Sequence, residues 1–310
     1  MPTSFPTDQW EWAMKFDERS AGNGEALVNS DPAPLSGTDQ HMSRVALITG
    51  GSRGIGRAIA LKLASNGYSI VIAAKSTEED PRIPGTIHTV AKEVEELGGK
   101  ALAVKVDIRS EEQVVAMFEQ VKKTFGHLDV LVNNASAINL SNTERMEMKR
   151  WDLMNQINVR GTYMVSKYAI SLLKEGTNAH ILTLSPPLNL DKVWFAKHLG
   201  YTMAKYGMSM TVLGLAAELK QSGIAVNALW PRTTIATAAV QNLLGGDQLI
   251  ARSRKPEIVA DAAWTVVNKN SANYTGRFLI DEEVLRESGI TDFDQYAVNP
   301  GGELMPDLFL

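Results

Sequence analysis

From Val45 onward, short apolar runs alternate with amphipathic stripes along the whole chain. Residues 45–48 form a continuous apolar run, the pattern of a strand buried on both faces. Ala58, Ile59, Leu61, Leu63 and Ala64 then recur at helical spacing until Asn66-Gly67 closes the helix. The same reading predicts strands at 68–74, 101–106, 128–132, 180–184, 224–229 and 277–280. Between them it predicts helices through Val90 and Val94, through Val114 and Val121, over 149–174, from Tyr201 to Leu219, through Val240 and Leu244, and over 258–267. Residues 77–89, with Pro81, Pro84 and Gly85, read as a polar loop. Strand and helix alternating this regularly predict an α/β fold, a doubly wound parallel sheet of Rossmann type in a single domain with an N-terminal extension.

The break between the first strand and helix carries Gly50, Gly54 and Gly56. Glycines there suit a sharp turn, close approach of backbone to a pyrophosphate, and tight packing of the new helix. The helix N-terminus adds unpaired N–H groups and a positive dipole end. Their spacing is G-x-x-x-G-x-G rather than G-x-G-x-x-G, so the usual dinucleotide fingerprint is met in role and not in letter. An acidic residue ending the second strand would read the adenosine ribose of NAD. Here Ala74 is followed by Lys75, with Arg53 in the glycine turn. Two cations suit a 2′-phosphate and predict NADP(H); the bland alternative is solvated surface charge.

Tyr201 and Lys205 stand four residues apart and share a helix face. Asn133-Asn134-Ala135-Ser136 follows a strand, Asn158 sits within a helix, and Ser185 ends a strand. In that order after the glycine turn, these residues resemble the short-chain dehydrogenase/reductase family. The resemblance implies a catalytic set of Asn158, Ser185, Tyr201 and Lys205. Tyr201 would exchange a proton with the substrate oxygen and Ser185 would hold that oxygen. Lys205 would bind the cofactor ribose and favour the phenolate, since an unperturbed phenol titrates at about 10. Asn158 would hold a water in the proton relay. Cofactor contacts are implied at Gly50, Ser52, Arg53, Gly54, Ile55, Gly56, Lys75, Asp107, Ile108, Asn134, Ala135, Tyr201, Lys205 and Pro231. Asp107 would meet the adenine, cap the helix beginning near Ser110, or do both.

Several positions depart from the family pattern. Ser136 stands where glycine is usual, the gap from Ser185 to Tyr201 is long, and Pro186-Pro187 follows the serine. Trp194 and Phe195 in that gap read as an apolar substrate wall or as plain packing, and His198 as a cap or packing group. Arg232 replaces a glycine after Pro231, as a cation near the nicotinamide end or as surface charge. Arg252, Arg254 and Lys255 read as a phosphate site for a coenzyme A ester or as a solvated face.

Composition narrows the rest. With 44% hydrophobic and 21% charged residues over 310 positions, the chain is an ordinary globular one. It has no cysteine, which excludes disulfides, thiolate nucleophiles and cysteine metal sites; no metal is expected. Residues 1–42 carry two cations against seven carboxylates, while the remainder holds 29 basic and 28 acidic residues. That balance gives no reason to invoke nucleic acid. Residues 1–42 are expected to be an acidic leader or linker whose Trp10, Trp12, Met14 and Phe16 could dock as a short helix. Residues 43–310 are expected to form the dehydrogenase domain, with 234–256 as a substrate lid. No apolar run reaches membrane length and no secretory signal is read, so a soluble compartment, the cytoplasm, is expected. The last residues are not a Ser-Lys-Leu address, and the resemblance leaves peroxisome and mitochondrion open. It also implies a homo-oligomer. Two functions follow. One is an NADP(H)-dependent oxidoreductase acting on a carbonyl or secondary alcohol of an apolar substrate, fatty-acyl, steroid or terpenoid-like. The other is a catalytically impaired NADP(H)-binding or interaction protein, spoiled by the long gap and its prolines.

Overall fold

The computed structural model describes residues 43–81 and 83–310, so the leader expected at 1–42 lies outside the described residues. Seven strands, β1 (Val45–Thr49), β2 (Ser69–Ala74), β3 (Ala101–Lys105), β4 (Val130–Asn133), β5 (His180–Leu184), β6 (Ala225–Trp230) and β7 (Phe278–Ile280), form one parallel sheet. Their order is β3-β2-β1-β4-β5-β6-β7. The order reverses between β1 and β4, so the chain leaves their carboxyl ends in opposite directions and opens a crevice there. The register sets Leu47 opposite both Val71 and Leu131.

Ten α-helices accompany the strands among the described residues. They are α1 (Gly54–Ala64), α2 (Ile87–Glu96), α3 (Glu111–Phe125), α4 (Met148–Met154), α5 (Thr162–Leu173), α6 (Val193–Ala196), α7 (Leu199–Glu218), α8 (Gly246–Ala251), α9 (Glu257–Val267) and α10 (Asp281–Glu287). Ala46 and Ile48 of β1 join the core under α1 and α9, while Val45 and Leu47 join the core under α3, α5 and α7. Successive side chains leave a strand on opposite faces, so a sheet covered on both sides requires the unbroken apolar runs seen in the sequence. Among the described residues no helix is long and apolar enough to cross a membrane.

Four local expectations are corrected. Helix α2 begins at Ile87, inside the expected loop, because Thr86 and Thr89 form a reciprocal capping box. The expected 149–174 helix is continuous but contains a π-helical stretch, Asn155–Gly161, between α4 and α5. Asp107 does not cap α3: the Ser110 side chain accepts from Gln113 N. Residues after 280, read as tail, begin with α10.

His180 opens β5 in the core, with Nε2 3.0 Å from the Lys269 carbonyl and Nδ1 unpartnered among the described residues. Burial, with Arg44 adding repulsion and the Lys269 carbonyl opposing, pushes it down to about 4. The unfolded chain therefore binds a proton first as pH falls. The full contribution is present above the ordinary value of 6.5 and is lost as pH falls towards 4. Stability should drop by about 2–3 kcal/mol over that window from this residue alone. Chemical denaturation of wild type and His180→Gln across the window checks this, the variant losing less.

Candidate active site

Gly50 and Gly54 adopt positive φ, 65° and 55°, giving a turn that a β-carbon would strain. Gly56 is demanded by space instead: a β-carbon there would lie 2.5 Å from both Gly50 O and Asn134 Nδ2. That amide donates to Thr49 O at 2.9 Å and Gly50 O at 3.1 Å. Thr49 Oγ1 accepts from the N–H groups of Asn134 and Ala135, both at 3.1 Å. Thus Asn134, at the end of β4, fixes the glycine turn at the end of β1. Helix α1 starts without a side-chain cap, leaving its first N–H groups for a ligand.

These residues line a cavity of about 920 Å³ over the carboxyl ends of the strands. Gly50, Ser52, Arg53, Gly54, Ile55, Lys75, Asp107, Ile108, Asn134 and Ala135 are all on its wall. Gly56 is not, being the packing glycine beneath the turn. Arg53 reaches across to Pro84 O at 3.2 Å and Gly85 O at 2.6 Å. A β-carbon on Gly85 would stand 2.5 Å from Ser52 O, so the 77–86 loop lies directly on the glycine turn. Lys75 Nζ lies 3.4 Å from Asp107 Oδ2, and Arg109 grips the same carboxylate from 2.5 Å. The Arg109 guanidinium holds the Asp107 carboxyl far below the usual carboxylate range.

A second cavity of about 1000 Å³ shares Ile55, Asn134, Ser136, Thr237 and Ala239 with the first. Tyr201, Lys205 and Pro231 line it, with an apolar wall that includes Leu140, Leu184, Trp230, Ile235, Val240 and Leu243. Lys205 is buried, donates to Leu184 O at 2.9 Å and stands 5.1 Å from the Trp230 ring centre. Four residues further along α7, Ser209 Oγ donates to Pro186 O at 2.6 Å. Helix α7 therefore fixes the carbonyls on both sides of Ser185. The Ser185 hydroxyl is buried and unpartnered among the described residues, and lines neither cavity. A buried polar group left so costs about 1–3 kcal/mol, a cost usually tolerated for function.

Asn158 is fully buried in the π-helical stretch. Its amide makes a two-point clamp, accepting from Ala137 N at 2.8 Å and donating to Ala137 O at 2.9 Å. This is what rewards an asparagine in mid-helix. Gly207 of α7 lets that stretch approach, since a β-carbon there would meet Val159 at 2.6 Å.

The expected lowering of the phenol is not the state of this site. Burial and the nearby Asp307 carboxylate both push Tyr201 upward, so the phenol is neutral. Burial pushes Lys205 down to about 7, with Asp307 opposing. Both groups sit in an apolar wall, where burial disfavours the charged form of each.

Several departures resolve as packing. Trp194 and Phe195 lie outside the cavity wall and pack on Phe309 and Tyr206. His198 pairs with the Thr202 hydroxyl at 3.0 Å. Arg232 pairs with Glu283, outside both cavities. Arg252 pairs with Glu303, Arg254 with Glu282, and Lys255 donates to Gln295 O. Each of the three cations therefore has a partner within the chain.

The sequence reading missed the segment 305–310. Asp307 lines the second cavity, and Phe309 is buried against Trp194, His198, Tyr201, Tyr206 and Trp230. Phe309 holds a positive φ of 75°, unusual for a bulky side chain. The only hint was an apolar Leu308-Phe309-Leu310 run after a proline.

Residues 44–246 match the model of the short chain dehydrogenase family. The chain is 54% identical over 276 residues to hydroxysteroid dehydrogenase-like protein 2 of Danio rerio, covering 89% of this chain and 66% of that protein. It is 55% identical over 263 residues to the Xenopus laevis protein of the same name, covering 85% and 62%. It thus spans less than two thirds of the length of these curated relatives. A crystal structure of a putative dehydrogenase from Xanthomonas campestris superposes with a TM-score of 0.84 at 51% identity, covering 87% of this chain and 98% of that one.

Proposed function

The chain belongs to the short-chain dehydrogenase family, and on that premise we propose that it interconverts a carbonyl and a secondary alcohol on an apolar substrate with NADP(H). The observation that carries this reading is the junction of the two cavities. One has a dinucleotide cradle, and the other presents Tyr201 and Lys205 to an apolar wall. The first wall carries two cations, Arg53 and Lys75, against one carboxylate, Asp107, an excess of positive charge where a 2′-phosphate would sit.

When bound, NADP(H) supplies or accepts the hydride. The glycine turn and the open start of α1 would hold the pyrophosphate, and Lys205 would hold the ribose next to the nicotinamide. Tyr201, kept neutral by burial, has a proton to give to the oxygen of a carbonyl being reduced. The unpaired Ser185 hydroxyl would take that oxygen as its missing partner once the wall over it opens. Lys205, near 7, can accept and return protons close to neutrality. Asn158 acts as a positioning residue, clamping the 137 wall and supporting the relay water. Residues 43–310 act as one domain, and 234–256 act as the lid, contributing Val240, Leu243, Leu244 and Leu249 to the apolar wall. A homo-oligomer would cover the exposed Met203, Met210 and Leu213 of α7.

The burial of Ser185 behind both cavity walls favours the second reading, an impaired cofactor-binding protein. Fluorescence titration with NADPH and NADH, followed by a carbonyl screen, separates the two. NADPH binding with turnover supports the first reading; NADPH binding without turnover on any apolar carbonyl supports the second. Arg53→Ala and Lys75→Ala should each weaken NADPH about 10- to 100-fold, the worth of a charge-assisted bond, and leave NADH nearly unchanged. Equal loss for both cofactors would remove these cations as phosphate readers.

A further inference from the structure

We propose that Asp307 makes the substrate cavity select uncharged oxo compounds against carboxylates, so that the substrate class is a neutral ketone, such as an oxo ester, rather than a free oxo acid. This rests on the oxidoreductase reading above and narrows it.

The placement of Asp307 is built rather than incidental. Its N–H donates to Arg232 O at 3.1 Å, while Thr234 N donates to Met305 O and Trp230 Nε1 to Leu308 O, both at 2.9 Å. Phe309 anchors the other side. Oδ1 accepts from Leu308 N at 2.7 Å. Among the described residues the carboxyl makes no other bond, which leaves Oδ2 to the cavity.

Among the described residues on that wall, Asp307 is the one carboxylate. The charged and titratable groups facing it are Tyr201 and Lys205 of α7 and Asp281, the first residue of α10. Arg145 and Lys197 also line the cavity, but from exposed positions where water screens them. A substrate carboxylate entering the apolar limb would lose its hydration beside a like charge, and like-charge juxtaposition away from water is strongly disfavoured. Lys205 does not rescue it, because that ammonium is already bound to Leu184 O and opposed by Asp307 itself. Removing the Asp307 charge removes the like-charge penalty and with it the local preference.

Burial and Asp281 push the Asp307 carboxyl up to about 7 against the pull of Leu308 N–H and Lys205. The measurement therefore belongs at about pH 8.5, with the carboxylate ionised. The test is calorimetric binding of methyl benzoylformate and of benzoylformate to the full chain with NADP⁺ present, for wild type, Asp307→Asn and Asp307→Glu. The pair shares one ketone and differs in charge. Wild type and Asp307→Glu should prefer the ester by about tenfold or more, the scale of one like-charge contact. Asp307→Asn, which retains the acceptor for Leu308 N–H and should melt like wild type, should abolish that preference. Equal binding of acid and ester to wild type, a preference that survives Asp307→Asn, or binding of neither compound overturns the proposal. Selective binding of the ester with no apolar carbonyl reduced by NADPH refutes the oxidoreductase reading and leaves charge selection standing.

Discussion

Tyr201→Phe should lower turnover about 10²- to 10⁴-fold, the usual contribution of a positioned general acid, while NADPH still binds. The substitution removes one oxygen. The ring that packs 6.2 Å from Phe309 and 6.4 Å from His198 stays in place. Because burial keeps the wild-type phenol protonated, the proposed activity makes the lost group a proton donor, and reduction should suffer at every pH at which the protein is folded. Steady-state rates with NADPH and an apolar ketone, alongside cofactor affinity by fluorescence, provide the check. Turnover that survives the change would mean that another group protonates the oxygen.

Phe309→Ala should cost about 3–5 kcal/mol, as for truncation of a fully buried aromatic side chain, or on the order of 10 °C in melting temperature. Phe309 is among the largest fully buried side chains and touches the rings around the site. Its strained backbone persists because those contacts over-determine it. Once the ring is gone, Trp230 Nε1 is also at risk of losing its partner, Leu308 O. Activity should fall with stability, since Asp307 and Leu308 line the substrate-side cavity. Calorimetric melting of wild type and variant measures the first effect. A change below about 1 kcal/mol, the level of an ordinary surface substitution, would show that the segment does not hold the site together.

Sheet and helices were legible because both core layers impose a period on the chain. The 180–184 run, for instance, is β5 to the residue. The glycine turn was legible because positive φ at Gly50 and Gly54 excludes most side chains. The roles of Asn158 and Ser185 were visible only as an anomaly, a poor helix former and a strand-end hydroxyl. What each touches depends on residues far away in sequence, Ala137 for the first and the α7 anchors around the second. The neutral phenol was not legible at all. Spacing puts Lys205 beside Tyr201, but the balance between an ammonium and desolvation depends on how dry the pocket is and on Asp307, which lies more than a hundred positions further along the chain. Arg232, Arg252 and Arg254 looked available for ligands because sequence hides their partners, Glu283, Glu303 and Glu282.

Hydride transfer itself is read most directly with NADPH deuterated at the transferring position of the nicotinamide and an apolar ketone as acceptor, with the alcohol analysed by mass spectrometry. One deuterium at the carbinol carbon, formed by wild type and nearly absent with Tyr201→Phe, is the expected result. NADPH that binds tightly yet delivers no deuterium to any apolar carbonyl would contradict the proposed activity and leave a cofactor-binding protein.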